Sequence, residues 1–117
     1  MHATLRSFGQ LEIDGRSFDH DVVIERGRVR KRKKGPSKAY RDRYGHTPLS
    51  IDEVIPWSAT RLIVGTGASG SMPIMPELLD EAGRRGIDVV ARPTAEACAL
   101  LDGLPDDEIA AVLHVSC

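Results

Sequence analysis

The stretch that decides the fold runs from Arg61 to Val90 and reads RLIVGTGASGSMPIMPELLDEAGRRGIDVV. Its first apolar run, RLIVG, predicts a buried strand, and a loop rich in glycine and serine follows it. Pro76 fits the first turn of a helix that we expect to run to about Arg85 and to end at Gly86. The next apolar run, GIDVVAR, predicts a second strand. This alternation is typical of a βαβ unit.

The rest of the C-terminal half continues the alternation. Thr94 is expected to cap a helix that runs to about Leu101, and EIAAVLHVS predicts a last buried strand. Towards the N-terminus, GQLEIDG alternates apolar and polar residues and ends at the hairpin signal Asp14-Gly15. We therefore expect the α/β class, as a single compact domain over residues 1–117. Its mixed β-sheet has a βαβαβ C-terminal half and antiparallel β-hairpins in the N-terminal half.

A short helix is expected between the two halves, in the stretch LSIDEVIPW. Ser50 and Glu53 have the spacing of a capping box, and Leu49 and Val54 occupy the staple positions around it. Pro56 would end this helix early. The preceding stretch, GPSKAYRDRYGHTP, is expected to be a loop.

Composition narrows the class of protein. A chain of 117 residues with 41% hydrophobic content suits one domain with one core. No apolar run approaches the roughly 20 residues that span a bilayer, and the first residues lack a signal-peptide pattern. Cys98 and Cys117 are too few for a disulfide framework, and Cys98 fits a small buried apolar position. A cytoplasmic, reduced protein is the expectation.

The glycine loop spells G-x-G-x-x-G at Gly65, Gly67 and Gly70, as a dinucleotide-binding loop does. Pro73 and Pro76, however, move the helix start away from the glycines, since proline disfavours helical backbone in the residue before it. The acidic ribose ligand is also missing from the end of the next strand. The pattern therefore argues against NAD(P) binding.

The same loop also lacks the lysine of a P-loop and the G-x-S-x-G pattern of a nucleophile elbow. We therefore predict no cofactor and assign no catalytic residue. A non-enzymatic domain is favoured, and a cryptic enzyme that uses this loop stays open as an alternative. Two interpretations stay open, a structural turn or the rim of a pocket for a small anion at the end of a strand. The candidate pocket residues are Gly65, Thr66, Gly67, Ser69, Gly70 and Ser71.

Charge is distributed unevenly although its sum is only -1. Residues 26–43 hold ten of the 16 basic residues and one of the 17 acidic ones. This basic hairpin could contact an acidic protein partner, or it could bind nucleic acid with help from Tyr40 and Tyr44. It could also be a solvated edge strand whose lysines prevent aggregation. The candidate partner-binding residues are Arg28, Arg30, Lys31, Arg32, Lys33 and Lys34.

A metal site is not predicted. His114 and Cys117 have H-x-x-C spacing and His46 is a conceivable third ligand, but no further ligands are paired by spacing. His114 is then interpreted as an ordinary histidine at a strand end.

Four stretches together resemble the Mth-nine-three-eight-like domain family. They are SFGQLEIDG, HDVVIERGRVRKRKK, RLIVGTGASGSMPIMPELLDEAGRRGIDVVARPTAEACALL and AAVLHVSC. This family of unknown function includes the adipogenesis-associated domain protein and the mitochondrial complex I assembly factor 3. The resemblance implies a compact α/β domain of its own type, with no established catalytic activity and a cleft near the glycine loop. Gly65, Thr66, Gly67 and Gly70 match that position.

Three functional hypotheses are compatible with the sequence, and the first is favoured. The first is a non-enzymatic cytoplasmic domain that binds a protein partner, and the family's assembly factor implies a role in assembling a larger complex. The ending H-V-S-C is, however, more similar to the adipogenesis-associated branch and the prokaryotic members. The alternatives are a binder of a small anionic metabolite or nucleotide at the Gly65–Ser71 loop, and a nucleic-acid binder that uses the basic hairpin.

Overall fold

Strands fill the first part of the chain, and strands alternate with helices in the last part. The structure is a computed structural model that describes residues 1–7 and 9–116. Its first elements are the strands β1 (Ala3–Ser7), β2 (Gln10–Ile13), β3 (Arg16–Phe18), β4 (Val22–Glu25) and β5 (Arg28–Lys31), then the short helix α1 (Arg41–Tyr44). They are followed by β6 (Arg61–Thr66), α2 (Pro76–Arg84), β7 (Asp88–Arg92), α3 (Thr94–Leu101) and β8 (Ala110–His114).

The strands form two sheets within the described residues. The larger sheet has the order β5-β4-β8-β6-β7, and the smaller one has the order β1-β2-β3. Strand β6 pairs in parallel with both β7 and β8, whereas β4 pairs antiparallel with β8 and β5. The helices α2 and α3 supply the two crossovers between the parallel strands. The predicted α/β class, with a mixed sheet and N-terminal hairpins, is confirmed.

The hairpin turns owe their shape to two short sequences with left-handed backbone. Asp14 and Gly15 have φ angles of 47° and 84°, and Arg26 and Gly27 have φ angles of 51° and 80°. Two successive positive φ angles match the right-handed twist of the flanking strands. The register of β2 with β3 and of β4 with β5 is set by these turns.

The larger sheet carries a hydrophobic core on each face. Alternate residues of β4 point to opposite faces, as strand geometry requires. Val22 and Ile24 pack with α3 and the smaller sheet. Val23 packs on the other face with Leu78 of α2 and with Leu49. The continuous apolar runs of β4, β6 and β8 therefore reflect burial on both sides.

The predicted helix in LSIDEVIPW is wrong. Residues 51–53 form a turn, and the chain then runs on without regular structure. The Ser50 hydroxyl accepts a bond from the Asp52 amide at 3.3 Å, and Val54 is 70% exposed, so it makes no staple. The carboxylate of Glu53 is instead buried and forms an ion pair with Arg32. Glu53 therefore does not cap a helix.

Two smaller expectations also need correction. Residues 35–40 form a 3₁₀ helix that leads into α1, where a loop was expected. Thr94 is the first residue of α3 rather than its cap. Its hydroxyl donates to the carbonyl of His114 at 2.5 Å and accepts the amide of Gly67 at 2.8 Å. Thr94 therefore ties the ends of β6 and β8 together.

A membrane-spanning helix is absent from the described part of the chain, since none of its helices is long and apolar enough to cross a bilayer.

Candidate functional site

The topology of the larger sheet gathers polar residues at one edge. The carboxyl ends of the parallel strands β6 and β8 meet there, and the antiparallel strand β4 begins at the same edge. Asp21 precedes β4, Arg32 follows β5, and His114 ends β8. The register pairs Val22 with both Lys31 and Leu113, which places these three polar residues side by side. We call this the carboxyl edge of the sheet.

Arg32 occupies the interior of this edge. Its Nε and Nη2 donate to the two carboxylate oxygens of Glu53, both at 2.8 Å. Its Nη1 donates to Asp21 Oδ2 at 2.9 Å, and Nη2 also donates to the carbonyl of Pro48 at 3.0 Å. A bidentate guanidinium–carboxylate pair of this kind is among the stronger and more directional interactions in proteins.

The burial of Arg32 corrects the prediction that it belongs to a contact surface. Only 4% of the residue is exposed, and its side chain is enclosed by its carboxylate partners. Burial by itself lowers the pKa of Arg32, but the hydrogen bonds that it donates to Glu53 and Asp21, and the negative charges of these carboxylates, hold that pKa above its ordinary value. The positive charge of Arg32 is therefore neutralised within the protein by Asp21 and Glu53.

Asp21 links this ion pair to His114. Asp21 Oδ2 lies 2.7 Å from His114 Nδ1, and Asp21 Oδ1 accepts the amide of Val115 at 2.9 Å. Burial opposes the charged form of Asp21, yet the hydrogen bond and charge of His114, the amide of Val115 and the charge of Arg32 lower its pKa to about 2. Asp21 is therefore ionised at neutral pH.

An ionised Asp21 decides the orientation of the His114 proton. A carboxylate can only accept hydrogen bonds, so Nδ1 of His114 must be the donor. In the neutral imidazole Nε2 is then an acceptor. Ser116 Oγ lies 3.5 Å from this Nε2. The three side chains thus lie in sequence, with Asp21 bonded to Nδ1 of His114 and Ser116 near its Nε2.

A cleft of about 350 Å³ opens beside His114 and Ser116. We call it the cationic cleft, because four of the nine described residues that line it are lysine or arginine and none of the nine is a carboxylate. Its lining consists of Arg32, Lys34, Lys38, Arg41, Gly45, His46, Thr47, His114 and Ser116. Lys34, Lys38, Arg41 and His46 are exposed.

Comparison with known proteins assigns the chain to a family. Residues 4–114 match the family described as "Protein of unknown function (DUF498/DUF598)". The chain belongs to the DUF498/DUF598 family. Among curated proteins, none matches this sequence. The match to the family model confirms the resemblance to the Mth-nine-three-eight-like domain family.

Two solved structures share the fold along the whole chain. One is described as "conserved hypothetical protein PH1505 from Pyrococcus horikoshii OT3", with 31% identity, a TM-score of 0.76 and 100% coverage of both chains. The other is described as "MT938", with 21% identity, a TM-score of 0.71 and coverage of 99% of this chain and 98% of that one. The family likeness therefore extends over the complete fold.

The glycine loop of this DUF498/DUF598 domain directs several amides inward. The amides of Gly67 and Ala68 donate to Thr94 Oγ1 and to the carbonyl of Ser116, and the amide of Gly70 donates to the carbonyl of Gly67. Such amides are not available to an anion. Thr66 is also engaged, since its hydroxyl donates to the carbonyl of Arg92 at 3.1 Å.

The tight packing around the loop leaves no room for a side chain at Gly65. A Cβ on Gly65 would lie 2.8 Å from Thr94 Oγ1 and 3.0 Å from Leu113 Cδ2. Ser69, Gly70 and Ser71 lie at the exposed turn of the loop. A ligand at this loop stays a prediction.

The basic hairpin divides into an exposed and an engaged part. Arg28, Lys31, Lys33 and Lys34 are exposed, and Arg30 donates to the carbonyl of Val54 at 2.9 Å. The structure therefore leaves five of the six predicted partner-binding residues at or near the surface. Whether they contact a protein or nucleic acid stays a prediction.

The histidines considered for a metal site lie in the same cleft. His46 and His114 both line it, whereas Cys117 lies outside the described residues. Among residues 1–7 and 9–116, no three His, Cys, Asp or Glu side chains are grouped closely enough to hold a metal ion.

Three residues of the site were missed by the sequence interpretation. Asp21 was not singled out, Glu53 was assigned to a cap, and Ser116 was noted only within the family ending. The signal that could have found Asp21 is its charge at the start of the apolar run VVI. A charge entering a doubly buried strand needs a partner, and Arg32 follows the strand that pairs with it.

Proposed function

We propose that this DUF498/DUF598 domain binds an anionic ligand in the cationic cleft. The observation that carries the proposal is the cleft's lining, in which basic side chains converge and no described residue contributes a carboxylate. A cleft lined by charges of one sign concentrates ligands of the opposite sign. The hypothesis of an anion binder is thus kept, and its site is moved from the glycine loop to the neighbouring cleft.

The charges that attract the anion are those of Lys34, Lys38 and Arg41. These side chains are exposed, so their charge is directed at solvent. Arg32 contributes little, because Asp21 and Glu53 neutralise it. The cleft volume of about 350 Å³ lies within the range of small-molecule sites. A small di- or trianion is therefore the ligand class that fits.

Binding is tested by thermal unfolding with pyrophosphate and with citrate as probes. A ligand at 100 times its Kd stabilises the folded state by about 2.7 kcal/mol, so the melting temperature rises with concentration. The variant Lys38→Gln/Arg41→Gln should lose most of that rise. The matched control is Arg28→Gln/Arg61→Gln, which removes the same charge at the opposite edge of the sheet and should keep it.

Two results would contradict the proposal. One is the absence of any shift with either probe up to 10 mM, a concentration of about 100 times a Kd of 0.1 mM. The other is an equal shift in the cleft variant and in the control.

A second candidate function is the binding of an acidic protein partner by strand β5. The observation in its favour is that the described part of the larger sheet ends at β5, where Arg28 and Lys31 are exposed. A peptide could add to such an edge, and its acidic side chains would face the basic ones. The assembly role implied by the family resemblance would act through this surface.

The second candidate is tested by affinity capture with a charge variant. Arg28, Lys31 and Lys33 are replaced by glutamine, and Arg32 is left intact because it is buried. Captured partners should be lost from this variant and kept by Lys38→Gln/Arg41→Gln. The reverse pattern would assign the partner to the cationic cleft instead.

A further inference from the structure

A line of three side chains connects the buried ion pair to the cationic cleft. Asp21 Oδ2 lies 2.7 Å from His114 Nδ1, and His114 Nε2 lies 3.5 Å from Ser116 Oγ. We propose that Ser116 is a nucleophile in acyl transfer, with His114 as its general base and Asp21 as the residue that orients His114. The substrate class is an ester of a small acid or alcohol that carries a further anionic group.

The proton directions match those that this chemistry needs. The carboxylate of Asp21 accepts from Nδ1, so Nε2 faces the Ser116 hydroxyl as an acceptor. A nucleophile, a base within reach and a third group that orients the base define such a site, independently of fold or chain order. The distance of 3.5 Å is at the upper limit of a hydrogen bond. Catalytic hydrogen bonds are often this long in enzymes without bound substrate and tighten in the complex.

The supporting contacts hold the base in place. Asp21 is fixed by the amide of Val115 and by Arg32, and the backbone of His114 accepts the hydroxyl of Thr94. The side chain of His114 is only 9% exposed. A base whose orientation is set by packing and by neighbouring bonds keeps the geometry that catalysis needs.

The side chain of Ser116 is more accessible to a substrate than that of His114. Ser116 is half-buried and lines the cationic cleft together with His114. A substrate in the cleft can therefore reach the hydroxyl, while His114 contributes through Nε2. The hydroxyl is placed by the end of β8, since the carbonyl of Ser116 accepts the amide of Ala68 at 3.2 Å.

The proposed reaction passes through an acyl-serine intermediate. The Ser116 oxygen forms a bond to the carbonyl carbon of the ester, and its proton passes to His114 Nε2. The resulting tetrahedral intermediate expels the alcohol, which takes that proton from Nε2. Water then attacks the acyl-serine, gives one proton to Nε2, and releases the carboxylic acid as Ser116 recovers its hydrogen. No oxidant, reductant or metal takes part.

The cleft cations select the substrate and stabilise its charge. Lys34, Lys38 and Arg41 would hold the anionic group, and a positive charge beside the carbonyl oxygen favours the tetrahedral intermediate. The substrate class rests on the proposed anion binding, whereas the reactivity of Ser116 does not. The two can therefore fail separately.

The test uses a fluorophosphonate probe on the full chain. Attack by an activated serine releases fluoride and leaves a stable phosphonyl ester, which peptide mass spectrometry locates. We expect label on Ser116, none on this peptide in Ser116→Ala, and unchanged label in the matched control Ser69→Ala. In His114→Gln the labelling rate should fall at least about 100-fold, the usual contribution of a general base.

A second measurement keeps the proposal testable if His114→Gln does not fold. Long-range proton–nitrogen NMR of the unaltered protein reports which imidazole nitrogen carries the proton. The Nδ1–H form is expected. The Nε2–H form, an unlabelled Ser116, or equal labelling rates with and without His114 would each overturn the proposal. Anion binding is measured separately, by the thermal shift of the unaltered protein with pyrophosphate and citrate, so that its failure is distinguishable from an unreactive Ser116.

Discussion

Removal of the Arg32 guanidinium should destabilise the protein strongly although it lies outside the hydrophobic core. The change Arg32→Met keeps most of the side-chain volume and deletes five donated hydrogen bonds. The carboxylate of Glu53 is then left buried, with the hydroxyl of Ser37 as a donor. Breaking a buried pair by removing one partner costs about 3–5 kcal/mol.

The assay is urea unfolding followed by the fluorescence of Trp57, the single tryptophan of the chain. The control is Lys33→Met, which removes the same charge from an exposed neighbouring residue and should change the free energy of unfolding by at most about 0.5 kcal/mol. The slope of that free energy against urea must be equal in all variants, so that a shifted midpoint reports stability.

A double-mutant cycle then separates the ion pair from side-chain packing. Glu53→Gln should cost less in the Arg32→Met background than in the unaltered protein, with a coupling of about 1–3 kcal/mol. The reasoning is refuted if Arg32→Met costs less than about 1 kcal/mol. A coupling of zero would also refute it, because the two residues would then act independently.

Three further predictions follow from particular contacts. The pKa of Asp21 is about 2, against an ordinary value of 3.8. The ionised form therefore contributes about 2 kcal/mol of stability above pH 4, and this contribution is lost as the pH falls from 4 to 2. Urea midpoints measured as a function of pH test this, and a flat profile contradicts it. Gly65→Ala should destabilise the protein by about 1 kcal/mol or more, because its Cβ would lie 2.8 Å from Thr94 Oγ1. Gly83→Ala on α2 has open space around it and should stabilise the protein by about 0.5–1 kcal/mol. Calorimetry measures both changes in melting temperature, which should have opposite signs. Burial raises the pKa of the Cys98 thiol to about 11, so iodoacetamide at pH 8 should label it only after unfolding, and rapid labelling of the native protein would disprove this.

The alternation of strands and helices was predictable because its signals are local. The helix α2 begins at Pro76 as expected, since a proline and its neighbours determine a helix start within a few residues. The same local argument places the start of α2 six residues after Gly70, as the structure has it. Hairpins at Asp14 and Gly27 were also visible, because the turns depend on two adjacent residues.

The site was not predictable by local rules because its members are far apart in sequence. Asp21 and His114 are separated by 93 positions, and Arg32 and Glu53 by 21. The capping-box pattern at Ser50 illustrates the competition. It satisfies a local rule, but the bidentate pair with Arg32 provides Glu53 with stronger bonds than a backbone amide could.

Asp21 takes part in both the buried ion pair and the proposed chemistry of this edge of the sheet. One of its oxygens accepts from both Arg32 and His114, so the carboxylate belongs to the stabilising ion pair and to the proposed catalytic line. A change at Asp21 would therefore alter stability and chemistry together and could not separate them. Arg32→Met also alters both, because Arg32 donates to the same Asp21 oxygen as His114. Ser116→Ala leaves the ion pair intact and acts on the chemistry alone, at a half-buried position. If fluorophosphonate labelling disappears in Ser116→Ala while the urea midpoint stays unchanged, the serine is a chemical group rather than a structural one.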